Sequence, residues 1–160
     1  MFEIEETVAI EQPIEAVWSF VMDETNNPLW QTTLAEVERL AGSPLDVGSQ
    51  VLEVRRFLGR RIETVWEMVE LEAPTRSAIR SVKAPFALSG TYRLEPEGSA
   101  TRFTLWLRGD PGGLFRLAEP VVQRMARREL AGNLANLKDV LEAGVGAVGS
   151  ERQDEALTLS

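Results

Sequence analysis

The sequence predicts an α+β protein: a curved antiparallel sheet of six to seven strands wrapped around one long C-terminal helix, with two short helices after the first strand. Three observations predict it. Roughly seven runs alternate apolar and polar residues with the period of two that marks a half-buried strand. Directly after the first run, residues 13–31 break that alternation with helical spacing and turn residues. Finally, residues 112–143 carry an apolar stripe at helical spacing.

The strands follow in order. In residues 2–11, Phe2, Ile4, Val8 and Ile10 share a face with Glu6, which interrupts it and predicts a bent or partly exposed strand. Pro13 then opens a helix, where its missing N–H would have no partner anyway. Ile14, Val17, Trp18 and Val21 have helical spacing. Residues 23–31 (DETNNPLWQ) read as a turn or second short helix, because Asn26, Asn27 and Pro28 favour breaks. Residues 34–40 fit helix or strand by pattern; the turn GSPLDVG after them favours a strand.

Residues 50–58 and 61–71 form a hairpin around Gly59, with Ile62, Thr64, Trp66 and Met68 on one face. Pro74 ends that strand. Residues 76–82 make another. Residues 86–95 alternate cleanly, with Phe86, Leu88, Gly90, Tyr92 and Leu94 inward. Residues 101–108 place Phe103, Leu105 and Leu107 inward and turn Trp106 away. Asp110-Pro-Gly-Gly separates sheet from helix. Within 112–143, Pro120 either kinks the helix or marks the start of its regular part. Residues 144–160 have three Gly, several charges and no periodicity, and read as a disordered tail behind a single 1–143 domain.

Composition limits the chemistry. A chain of 160 residues buries about 68–70% of its unfolded surface and needs no staples. It contains no His and no Cys, which removes disulfides, Ser/His and Cys/His nucleophile pairs, and the usual zinc ligands. No Asp/Glu spacing marks a metal site, and no cofactor is expected. The net charge of −8, with five Glu and no Lys or Arg in the first 15 residues, argues against a nucleic-acid partner. The arginines of the long helix read as a solvated face. Gly109, Gly112 and Gly113 form no phosphate loop. No stretch approaches the ~20 apolar residues of a membrane span, and the N-terminus reads as a strand, with cytoplasm as the default location. Sheet edges permit a homodimer without requiring one.

Several motifs occur in a telling order. A first strand runs into Pro13, Glu15, Val17, Trp18, Phe20, Val21 and Asp23. Asn26, Asn27, Pro28 and Trp30 follow, then the Val47-Gly48 turn, the Leu58-Gly59-Arg60-Arg61 hairpin, and an ending with Leu134, Leu137, Lys138, Leu141 and Glu142. Over residues 2–143 this resembles the polyketide cyclase/dehydrase-like branch of the START-related superfamily (SRPBCC, birch-pollen-allergen-like). The resemblance implies the helix-grip fold and a small hydrophobic molecule (lipid, isoprenoid or polyketide-like) as partner. It supplies no shared catalytic residue, since the superfamily holds carriers, hormone binders and aromatic cyclases alike.

With that fold, a cavity is expected between the sheet and the C-terminal helix. Its sheet side would be Trp66, Met68, Phe86, Leu88, Tyr92, Phe103 and Leu105; its helix side would be Phe115, Val122 and Met125. Any of these also packs a core. Three polar candidates join them. The Tyr92 hydroxyl suits a ligand carbonyl or a backbone partner. Arg80 suits a carboxylate or an outward position. Glu129, four residues before Asn133 on one helix face, suits a base or a surface pair. Thr64 and Ser81 offer hydroxyls. The leading expectation is a carrier or sensor. The alternative is a polyketide cyclase or dehydratase using cavity shape with Tyr92, Arg80 or Glu129. A third reading puts function at a surface patch around Trp106.

Overall fold

The computed structural model describes residues 1–113 and 116–144. Its strands are β1 (Phe2–Ile10), β2 (Leu34–Ala41), β3 (Gln50–Phe57), β4 (Arg60–Glu72), β5 (Arg76–Lys83), β6 (Ala87–Glu97) and β7 (Ala100–Asp110). Helix α1 (Ile14–Val21) and a 3₁₀ turn (Glu24–Leu29) follow β1, and α2 (Glu119–Glu142) follows β7. The sheet is antiparallel in the order β1-β7-β6-β5-β4-β3-β2. Consecutive strands from β2 to β7 are neighbours, and β1 closes on β7 with Phe2 opposite Gly109 and Ile10 opposite Thr101. The chain therefore passes through α1 and the 3₁₀ turn to cross from one sheet edge to the other.

Both short helical segments form where residues 13–31 predicted them. Asp23 caps the 3₁₀ turn by accepting from the Thr25 N–H at 3.1 Å. Residues 34–41 are strand, as the following turn favoured. The hairpin joining β3 to β4 has positive φ at both turn residues, Leu58 (49°) and Gly59 (72°), the type I′ geometry that matches strand twist.

The long helix is shorter than its apolar stripe suggested. It starts at Glu119, not Gly112, and Pro120 sits in its first turn, where a missing N–H leaves no bond unmade. Pro120 therefore marks the start of the regular helix and does not interrupt its interior. The expected tail, apart from Gly144, lies outside the described residues.

The core lies between one sheet face and the helices. Trp18, Phe20 and Val21 of α1, Trp30 just after the 3₁₀ turn, Leu94 and Phe103 of the sheet, and Leu134, Leu137 and Leu141 of α2 are its main members. Each large side chain buried there contributes about 1.5–3 kcal/mol. Tyr92 and Phe103 meet at 5.1 Å between ring centroids, and Trp30 lies 6.3 and 6.4 Å from the two. Glu6, which interrupts the apolar face of β1, is explained by Arg127 of α2, 3.0 Å from its carboxylate.

Candidate functional site

A cavity of about 80 Å³ opens beneath α1 and the 3₁₀ turn. It has room for several waters and is smaller than a pocket that encloses a drug-sized ligand. Its floor comes from Val51 and Glu53 on β3, Trp66 and Met68 on β4, Ser77 and Ile79 on β5, and Gly90 and Tyr92 on β6. Val21, Met22, Glu24 and Asn27 roof it, and Leu45 and Ser49 of the β2–β3 connection close one side. None of these residues belongs to α2. The cavity expected between sheet and long helix thus lies between sheet and short helices, because α2 packs along β1 and the core aromatics fill the space beneath it.

Three of the sequence candidates meet there: Trp66, Met68 and Tyr92. Phe103 and Leu105 are inward but belong to the core cluster. Phe86 turns to the sheet end, edge-on to Phe2 at 6.3 Å. Leu88 is half-buried near it, across from Gly109. Arg80 points outward, 60% exposed and 3.2 Å from Glu67, because it lies one residue out of phase with inward Ile79. Val122 and Met125 are half-buried on α2, away from the cavity. Glu129 does not line it either: it receives the Thr33 hydroxyl and lies 3.6 Å from Arg55. Asn133 accepts from the Thr32 N–H at 3.1 Å. Ser81 accepts from the Leu88 N–H at 2.9 Å, and Thr64 is buried off the lining. Phe115 lies outside the described residues.

Of the lining residues that sequence reasoning missed, Glu53 is the one at the centre of a polar network. It is 7% exposed and lines the cavity. Its Oε2 accepts from Trp66 Nε1 at 2.9 Å and from Arg55 at 2.9 Å. Arg55 in turn donates to the Gln31 side-chain oxygen and to Thr33 Oγ1 at 3.2 Å. With its ion pair to Glu129, this one guanidinium ties β3, the end of the 3₁₀ turn and α2 together. A buried carboxylate with two donors is tolerated where an isolated one would not be. The available signal was Glu53 and Arg55 two apart on β3, on the strand face shared with Val51.

Tyr92 stands next to this network. Burial, reinforced by the Glu53 charge, pushes its hydroxyl well above the usual phenol range, with Arg55 and Gln31 opposing in part. Tyr92 is thus a neutral phenol under ordinary conditions, beside a carboxylate and on the cavity wall. Two further polar groups complete the lining. Ser77 is 3% exposed, and its hydroxyl makes no hydrogen bond among the described residues. Asn27, 8% exposed, leaves its Oδ1 without a partner there as well. Glu24, by contrast, is satisfied by Arg39, whose Nε donates at 2.7 Å. No group of three or more potential metal ligands occurs among the described residues, and no described helix is long and apolar enough to cross a membrane.

Known structures share this architecture. A protein of Thermus thermophilus superposes with a TM-score of 0.79 at 20% identity, over 89% of this chain and 99% of that one. The di-domain ARO/CYC BexL from the BE-7585A biosynthetic pathway gives 0.68 at 22% identity, over 88% of this chain and 48% of that one. Ara h 8.0201 gives 0.65 at 15% identity, over 88% and 97%. These likenesses establish the helix-grip fold. Among curated proteins, none matches this sequence. The sequence signature described as "Polyketide cyclase / dehydrase and lipid transport" matches residues 1–142. A match over that much of the chain, on a sheet and helices arranged in this way, makes the protein a member of the polyketide cyclase / dehydrase and lipid transport family.

Proposed function

We propose that this protein binds a small, largely apolar molecule in the cavity beneath α1 and the 3₁₀ turn, as a carrier or sensor. The observation that carries the reading is the lining itself: apolar walls around a buried, hydrogen-bonded Glu53, a composition suited to holding an apolar body by one polar end. The family's association with lipid transport supports it. Met22 and Met68 form part of the wall, and their flexible thioethers allow it to widen around a guest larger than the resting cavity. Native mass spectrometry of protein from its own host, followed by extraction, tests the reading. A co-purifying apolar molecule whose retention falls in Met68→Trp supports it. Retention unchanged by that filled cavity places the binding elsewhere.

A second reading is a cyclase or dehydratase. It is favoured by one specific feature: a protonated phenol, Tyr92, and a carboxylate, Glu53, face the same small space. Such a pair can give and take a proton around one carbonyl. Turnover of a poly-β-ketone that is lost in both Tyr92→Phe and Glu53→Gln, with folding intact, would favour this reading over the carrier.

A further inference from the structure

The charged residues of the cavity lining, Glu24 and Glu53, are both carboxylates, set beside the neutral polar groups of Asn27, Ser49, Ser77 and Tyr92. Glu53 presents a carboxylate whose Oε2 is engaged by Trp66 and Arg55, while Oε1 has no protein partner among the described residues. Glu24 brings a second carboxylate to the lining. Among the described residues, no Lys or Arg lines the cavity: Arg55 is occupied by Glu53, Gln31 and Thr33, and Arg39 by Glu24 and the Gly42 carbonyl. An anionic guest would therefore lose its hydration beside two carboxylates, with no Lys or Arg in the lining to pair with it. A guest with an O–H or N–H would instead complete the Glu53 oxygen with a charge-assisted bond, stronger than a neutral one. The Ser77 hydroxyl, on the same floor, can turn its lone pair or its hydrogen to the same group.

We infer that the ligand is an uncharged apolar molecule bearing a hydroxyl or similar hydrogen-bond donor, recognised by Glu53, and that the pocket rejects carboxylates of the same shape. The inference deepens the binding reading and rests on it. It separates the ligand class from free fatty acids, which share the apolar body but carry the wrong head. A site built around a buried acceptor also discriminates against guests that lack the donor, because the acceptor is then left unpaired.

Three probes of matched shape test it: para-propylphenol, propylbenzene and para-propylbenzoate, titrated at neutral pH against the full chain while the indole emission is followed, since Trp66 lines the cavity. The phenol is expected to bind about tenfold more tightly than propylbenzene, the gain of one good hydrogen bond, and the benzoate more weakly than either. Glu53→Gln should narrow the gap between phenol and benzoate; Ser77→Ala, which leaves the Glu53–Arg55–Trp66 contacts in place, should weaken the phenol alone. A benzoate that binds wild type as tightly as the phenol overturns the inference and leaves the cavity reading standing. Absence of response to all three probes, with native mass spectrometry also blank, removes the cavity reading and the inference together.

Discussion

Trp66 and Glu53 stand diagonally across β4 and β3, and the indole N–H donates to the carboxylate at 2.9 Å. This bond makes a cavity wall and a buried charge one unit. Removing either of the two donors leaves Glu53 short of a partner. Trp66→Phe is expected to cost about 1–3 kcal/mol in urea unfolding. Arg55→Met should cost as much or more, because it also frees Gln31 and Thr33, although the partial exposure of Arg55 moderates the loss. If both variants unfold at the wild-type midpoint, the network contributes nothing to stability.

Tyr92 gives a pH signature. Its pKa is raised in the folded state, first by burial and then by Glu53. The protonated form is thus favoured by folding. The stabilisation is whole below the unfolded tyrosine pKa of about 10 and is lost as pH rises above it toward the folded value. Stability should fall there by about 1.4 kcal/mol for each pH unit from this group, and Tyr92→Phe should remove that component. Tyr92 is the only tyrosine, so tyrosinate absorbance reports it directly. A normal titration midpoint in the native protein would contradict the burial argument.

Gly109 shows why its strand position has no side chain. A Cβ there would lie 2.4 Å from Phe2 Cζ, inside contact distance. Gly109→Ala must displace a buried ring at the β1–β7 junction, an overpacking cost of about 1–3 kcal/mol. Phe2→Leu in the same chain should recover part of it. A Gly109→Ala protein as stable as wild type would mean that the Phe2 ring moves freely.

The β3–β4 turn offers a gain. Leu58 has φ of 49° and is 77% exposed, so it makes little packing in return for a backbone conformation that suits Asn or Gly. Leu58→Asn is expected to raise stability by about 0.5–1 kcal/mol, measured as a later melting transition. A lower melting temperature would show that Leu58 makes contacts that matter.

The strands were legible because their alternation is set by one buried face, as in Phe103 and Leu105 against Trp106. The apolar stripe carries the expected helix back to residue 112 because Phe115 continues it upstream of Pro120; of the two readings of Pro120, the start of the regular helix is the one the structure shows. The cavity was harder. Phe103 and Tyr92 both point inward, and alternation cannot tell a side chain that fills the core from one that borders a void; that depends on which helix covers each part of the sheet, and here the void lies under the short helices. For Arg80 the sequence leaves a carboxylate partner or an outward position open, and the structure gives the outward one: Ile79 lines the cavity and Arg80, one residue on, pairs with Glu67 outside it. Glu53 was missed because a charge in a strand reads as solvent-facing until its partners, Trp66 and Arg55, are known in space.

The pairing of β1 with β7 has a consequence for how the chain comes into being. Phe2 lies opposite Gly109 and Ile10 opposite Thr101, so β1 leaves the ribosome well before its sheet neighbour has been made. Until then Phe2, Ile4 and Ile10 have no sheet to cover them. Contacts of such long sequence separation slow folding, and a waiting apolar strand is exposed to other chains. The five glutamates of the first 15 residues, which have no basic neighbours in sequence, keep that waiting segment charged and apart from copies of itself during synthesis.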